Sequence, residues 1–262
     1  MSSLSLALRD SSTMVRRNLL HARRYPSMTL NLLLTPIMLL LLFVYVFGDT
    51  MSAGIGGSPD RSAYVAFVVP GLLLMTIGST VVGTAVSVCN DMTEGIIARF
   101  RTMAIHRPSV LVGHVVGSVL QSVASVVVVG LVGAAIGFRT SGTTALEWLA
   151  AFALLVFFSL ALTWIAVGMG LVSPNAEAAS NNATPLILLP LLSSAFVPLD
   201  ALPGWFRPVA EYQPFTPAIE TLRGLLLGGE IGHNGWLAAA WCLGLTVLGY
   251  FWATSKFNGD PR

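Results

Sequence analysis

Charged residues divide this chain into blocks. Six stretches contain no Asp, Glu, Lys or Arg: 25–48, 62–90, 108–138, 148–176, 178–199 and 231–255. Each holds at least 22 residues, and about 20 consecutive apolar residues cross a bilayer as a helix. The pattern predicts six transmembrane helices, over 28–48, 64–89, 109–138, 148–172, 180–199 and 234–255. The expected fold class is an all-α integral membrane protein, built as a single domain over 1–262. Pro70-Gly71 falls inside the second run, where neighbouring helices can satisfy a freed carbonyl. The fifth run is the least regular, with Pro185, Pro190 and Pro198, and a short, broken or tilted passage stays open there. Gly113-x-x-x-Gly117 and Gly133-x-x-x-Gly137 allow close helix contact in lipid, chiefly within the chain.

The segments between these runs have their own patterns. Residues 4–24 place Leu4, Leu8, Val15, Leu19 and Leu20 on one side of a helix, with five arginines elsewhere. This predicts a basic interfacial helix over 1–27. Residues 200–230 carry many large apolar side chains, and two short amphipathic helices dipping into the membrane are expected there. Thr216-Pro217 reads as an N-cap followed by proline, Glu220 and Arg223 as an i,i+3 pair, and Gly228-Gly229 as the helix end. Between the second and third runs lies "NDMTEGIIARFRTMAIHRP". Ile96, Ile97, Phe100 and Met103 give that segment an apolar side. Asn90 or Asp91 could cap a short helix there, with Glu94 in its first turn. It predicts a helix lying along the membrane with its charges available to a soluble partner.

Composition reinforces the membrane assignment. The chain is 55% hydrophobic and 10% charged, with mean hydropathy +0.77. A soluble domain carries roughly 25% charged residues. The net charge of +2 is too small to point to nucleic acid. Cys89 and Cys242 both fall in apolar runs and form no metal or disulfide pattern.

The basic residues set an orientation. With six spans, both termini share a side with ten of the fourteen Lys and Arg, among them Arg99, Arg101 and Arg107. Arg61, Arg139, Arg207 and Arg223 face the other side with seven acids. The termini are therefore expected in the cytoplasm of a multi-pass plasma-membrane protein. No cleavable signal peptide is expected, because the first apolar run is long and no Ala-x-Ala site follows it. Lys256 is the only lysine, preceded by Ser255 and followed by Phe257, so the chain has no Gly-Lys-Ser/Thr phosphate loop. It is not expected to hydrolyse ATP itself.

Two stretches resemble the permease subunit of ABC-2-type exporters, in particular the daunorubicin-resistance type. The first is "YVAFVVPGLLLMTIGSTVVGTAVSVCNDMTEGIIARFRTMAIHRPSVLVGHVVG" (64–117), with Asp91, Gly95, Arg99, Arg101 and Gly113 in the family's order. The second is "SSAFVPLDALPGWFRPVAEYQPFTPAIETLRGLLLGG" (193–229), with Phe196-Val197-Pro198, Pro203-Gly204-Trp205, Pro214 and Leu222-Arg223 in order. The family often has proline where this chain has Ala104.

The resemblance implies a coupling helix between spans two and three, and re-entrant outer helices between spans five and six. It also implies two membrane domains, identical copies or related paralogues, served by two ATP-binding subunits. ATP and Mg²⁺ would sit on those subunits, and no cofactor is expected on this chain. Asp91, Glu94, Arg99, Arg101 and Arg107 are then the expected coupling residues, in contact with the ATPase and with anionic lipid. A contact from Ser173–Asn182, by way of Glu177, stays open. The expected activity is export of a hydrophobic drug, antibiotic or lipid. Phe43, Phe47, Trp164, Met169, Phe196 and Trp205 are the candidate path residues.

Other readings carry less. A glycan or polysaccharide exporter of the same family remains open. An ion-coupled carrier usually places ionisable groups at mid-membrane, and the six runs hold no Asp, Glu, Lys or Arg. The histidines are His21, His106, His114 and His233, and none forms HExxH; Gly-x-Ser-x-Gly is also absent, so an enzyme is disfavoured.

Overall fold

The computed structural model describes residues 26–46, 61–95, 108–140 and 142–258, with residues 13 and 48. Most of the interfacial segment 1–27, the connection 49–60, Phe47, and Arg99, Arg101 and Arg107 lie outside the described residues. Those that are described form helices and turns, with no strand among them.

In order, the helices are α1 (Pro26–Leu41, continued by a π-helical turn Leu42–Val46), α2 (Arg61–Thr93), α3 (Pro108–Ile136) and α4 (Ala145–Val172). Then come α5 (Ala176–Ala183), α6 (Pro185–Leu188), α7 (Arg207–Tyr212), α8 (Phe215–Leu227) and α9 (Asn234–Asn258). Four of these, α2, α3, α4 and α9, are long and apolar enough to cross a membrane. The outward faces of α3, α4 and α9 carry large apolar side chains such as Leu131, Leu149, Leu248 and Phe251, each more than 60% exposed. Such a surface belongs in hydrocarbon rather than water.

The α2 helix is the centre of the bundle. In its most apolar 18-residue stretch 89% of residues are buried, against 56% for α4, 28% for α3 and 22% for α9. It packs against α1, α3, α4, α5 and α8, while α9 packs on the far side of α4. Close approach depends on small residues. A Cβ at Gly78 would stand 2.5 Å from the Leu186 carbonyl oxygen, so α6 can lie directly against α2 only because Gly78 has no side chain. Gly133 of α3 faces Val69 of α2, an intramolecular contact.

Three expectations change. The stretch 180–199 is not one helix. It divides into the end of α5, the four-residue α6, a 3₁₀ turn at Leu189–Leu192 and a turn through Ser193–Val197. Proline lacks the N–H needed to continue a helix and clashes with the preceding turn, and Pro185, Pro190 and Pro198 interrupt this segment in succession. Six continuous long spans are therefore not present among the described residues.

Second, α2 runs past the charges that delimited it, from Arg61 through Asp91 to Thr93. Asp91 thus sits in the last turns of a long helix, not at the cap of a short one. In the same way α4 starts ahead of Glu147. The Thr144 hydroxyl accepts from the Glu147 N–H, and the Glu147 carboxylate accepts from the Thr144 N–H at 2.6 Å. This reciprocal cap makes the acid part of the first turn.

Third, Thr216 is buried inside α8 instead of capping it. Its hydroxyl donates to the Ala210 carbonyl and accepts from the Ser194 N–H. The end of α8 is as expected: Gly228 adopts φ 74°, and the N–H groups of Gly228 and Gly229 both donate to the Gly224 carbonyl. The apolar side of α8 is turned into the protein, with Phe215, Ile219 and Leu222 fully buried against α2, α4 and α9.

Candidate functional site

Two polar centres stand near opposite ends of α2. From Phe67 to Asp91 the helix rises roughly 36 Å at about 1.5 Å per residue.

At one end, Asp91 Oδ2 lies 3.0 Å from His114 Nε2 on α3, with side chains 8% and 4% exposed. The connecting segment 96–107 leaves from here. Glu94 donates its N–H to Asn90, and Gly95, at φ 70°, turns the chain out of the helix. The C-terminus of α4 reaches the same place. The Cys89 thiol donates to the Ser173 carbonyl, the Asn182 amide donates to the Ser173 hydroxyl, and that hydroxyl donates to Met169. Asn175 caps α5 by accepting from the Ala178 N–H, and Glu177 in its first turn is exposed.

Deeper in the bundle the hydroxyls of Thr84, Ser118 and Thr163 join α2, α3 and α4. Thr84 donates to Ser118 at 2.6 Å, and Ser118 and Thr163 lie 3.3 Å apart. His114, Ser118 and Ser122 follow at i, i+4 on one face of α3 and all are buried. That spacing was visible in the sequence and would have located the polar seam.

At the other end, Arg223 of α8 is held on four sides. Nη1 donates to Glu220 at 2.6 Å, and Nη2 donates to the carbonyls of Phe67 (2.9 Å) and Ser194 (3.1 Å). The guanidinium carbon stands 3.9 Å from the Phe67 ring centroid. Taking an arginine out of water costs several kcal/mol, and these contacts offset it because the planar fork can serve several acceptors at once. One cation thereby fastens α8 to α2 and to the turn after α6. Around it Gln213 donates to Leu189, Thr143 donates to Leu226, and the Trp241 indole donates to Tyr212. The i,i+3 pairing was legible, but the two carbonyl contacts were not.

The expected site residues distribute as follows. Asp91 and Glu94 lie at the His114 end, with Asp91 buried and Glu94 exposed. Arg99, Arg101 and Arg107 lie outside the described residues, between them and α3. Phe43 and Phe196 stack with centroids 4.4 Å apart, joining the π-helical turn to the turn after α6. Trp164 packs edge-on to Tyr250, 5.1 Å between centroids, in the α4–α9 interface. Met169 packs at the margin of the core, and Trp205 is 81% exposed beside Phe206. None of these lines the apolar cavity of about 440 Å³ among α2, α3, α4 and α8, whose aromatic wall is Phe138, Trp148 and Phe152. Among the described residues no cluster of His, Cys, Asp and Glu could hold a metal ion.

An all-helical membrane bundle, with an aspartate near one end of its central helix and a largely buried arginine near the other, is the setting in which the comparisons fall. The family model for the ABC-2 type transporter matches residues 10–227, ending where α8 ends. The chain belongs to the ABC-2 type transporter family, whose members are membrane subunits rather than the ATPase. It is similar to the daunorubicin resistance ABC transporter permease protein DrrB1 of Streptomyces coeruleorubidus, 27% identical over 92% of this chain and 80% of that protein. It is also similar to a probable doxorubicin resistance ABC transporter permease protein, DrrC, of Mycobacterium tuberculosis, 22% identical over 67% of this chain and 64% of that protein. Nodulation protein J of Rhizobium meliloti is 27% identical over 81% of this chain and 80% of that protein.

Proposed function

We propose that this chain is the permease subunit of an ATP-driven exporter that moves a hydrophobic drug, antibiotic or lipid out of the cell. Two ATP-binding subunits drive it, and a second copy of the chain or a related paralogue completes the membrane part. The reading rests on the family match over 10–227, together with the resistance permeases among the relatives. In this reading α1, α2, α3, α4, the broken segment α5–α6 and α9 form six passages. The α7–α8 hairpin is the re-entrant outer element, and both termini are cytoplasmic, in keeping with the basic residues at that end.

The mechanical step follows from α2. The segment 96–107, with Arg99, Arg101 and Arg107, docks on the ATPase, and Asp91 and Glu94 stand where it joins α2. A push there is delivered to a 33-residue helix that carries the Phe67 carbonyl at its far end. Because Arg223 binds that carbonyl, displacement of α2 moves α8 and the turn bearing Phe196, and so opens or closes the outer side. Phe43 and Phe196 form the best-placed part of the substrate path among the described residues, and Phe47 joins them on its sequence position alone. Trp164, Met169 and Trp205 would contact cargo only after rearrangement.

The test is transport in inverted membrane vesicles containing this chain and its ATP-binding partner subunit, with daunorubicin as the fluorescent probe. ATP-dependent, vanadate-sensitive accumulation is expected. Vesicles that assemble both subunits and hydrolyse ATP, yet take up neither daunorubicin nor a fluorescent phospholipid, would rule out a hydrophobic cargo.

A further inference from the structure

The 440 Å³ cavity has a chemistry of its own at each end. Its walls are apolar, with Val69 and Leu73 from α2 and Leu222 and Leu226 from α8 behind, and Trp148 and Phe152 in front. Trp148 and Phe152 are about half exposed, beside the outward apolar side chains Leu131 and Leu149; with that face in lipid, the cavity would be entered from the membrane. Arg139 and Thr140 line it at the end where α3 gives way to α4. Arg139 Nη1 donates to the carbonyls of Ala134 and Phe138, the guanidinium is exposed, and no carboxylate pairs with it among the described residues.

Towards the other end a smaller cavity of about 20 Å³ adjoins, sharing Val126, Val127, Phe152 and Leu155 with the larger one. Ser122 of α3 and Ser159 of α4 line it. Both are fully buried, and neither hydroxyl has a hydrogen-bond partner. Buried hydroxyls without partners are uncommon and call for an explanation. An ordinary acyl chain ending there would leave both unpaired.

We propose that this groove binds an elongated single-chain amphiphile with an acidic group at one end and a neutral hydrogen-bonding group at the other. The acid pairs with Arg139, the chain lies along α3 and α4 between Gly130 and Phe152, and the distal polar group reaches the Ser122 and Ser159 hydroxyls. From Ser122 to Ile136 the helix rises roughly 21 Å, which suits an extended chain of about sixteen carbons. A volume of 440 Å³ lies within the range of small-molecule sites, which are mostly apolar with a few placed polar groups. The inference depends on this face meeting lipid and not on the ATP-driven reading, so the assay contains no ATPase.

The full chain in phosphatidylcholine nanodiscs is titrated with radiolabelled 16-hydroxyhexadecanoate and, separately, with hexadecanoate, each corrected for empty discs. Saturable binding is expected, tighter for the hydroxy acid by about tenfold, the effect of one to two hydrogen bonds. Ser122→Ala/Ser159→Ala should erase that preference and leave hexadecanoate binding as it was. Arg139→Gln should weaken both acids by about tenfold or more, the loss of a charge-assisted contact. Gly130→Leu, which places a side chain in the groove, should abolish saturable binding while circular dichroism stays native. No saturable binding would overturn the proposal. So would equal affinity for the two acids in the unsubstituted protein, the result expected if a single water fills the small cavity. Should Gly130→Leu fail to fold, the serine and arginine variants decide alone.

Discussion

The two ends of α2 solve the problem of burying charge in different ways. At the Asp91 end an acid and an imidazole meet across two helices, and the chain of hydroxyls beyond them is made of weak, exchangeable links. At the Arg223 end one permanent cation is fixed by a carboxylate, two carbonyls and an aromatic ring from three separate segments. Interhelical hydrogen bonds like those among these hydroxyls average only about 0.6 kcal/mol. Hydrogen bonds to a charged group are worth about 1.5–3 kcal/mol, and Arg223, partly exposed with Glu220, makes three of them. In the proposed reading the first end shifts and the second holds, as a lever needs one movable end and one end fastened to its load.

Substitutions can break this contrast, and Arg223→Met should do most damage. It removes three hydrogen bonds from a partly buried guanidinium, so thermal unfolding in detergent should show a loss of about 2–3 kcal/mol. Adding Glu220→Gln should recover part of it, and Arg223→Lys should fall between because an ammonium lacks the planar fork. Gly78→Val comes next. Its Cβ would meet the Leu186 carbonyl at 2.5 Å, a backbone atom that cannot swing aside, so a loss of about 1–3 kcal/mol is expected by the same measurement.

Asp91→Asn keeps the shape and removes the charge. Its stability cost should be about 1 kcal/mol, while ATPase stimulation in the assembled complex falls much further; equal losses in both would erase the distinction between the two ends. Ser118→Ala should cost about 0.6 kcal/mol and leave transport intact. Trp205→Ala, exposed on the outer surface, should stay within about 0.5 kcal/mol of the parent.

Much of the bundle was legible because lipid forbids charge along a helix, so charge-free runs mark spans directly. The same rule misplaced helix ends. Asp91 and Glu147 belong to their helices because one has a buried partner and the other closes a capping box, neither of which a count of charges can detect. The fifth segment is apolar enough to span, and the prolines that left a broken passage open are where it divides. The role of Arg223 was hidden for a different reason. Its carbonyl partners lie 156 and 29 positions away, and backbone acceptors leave no trace in residue type. The basic segment holding Arg99, Arg101 and Arg107 was found from its spacing alone, and it lies outside the described residues.

The central claim is that this segment docks on the ATPase and drives α2. The most direct test is co-purification of the chain with its ATP-binding partner subunit, comparing the parent with Arg99→Glu/Arg101→Glu, followed by ATPase activity in lipid. The account predicts a stable complex for the parent and none for the double reversal, with monodisperse, natively folded permease in both. Unchanged assembly and unchanged activity after the reversal would contradict it and leave those arginines with topology alone.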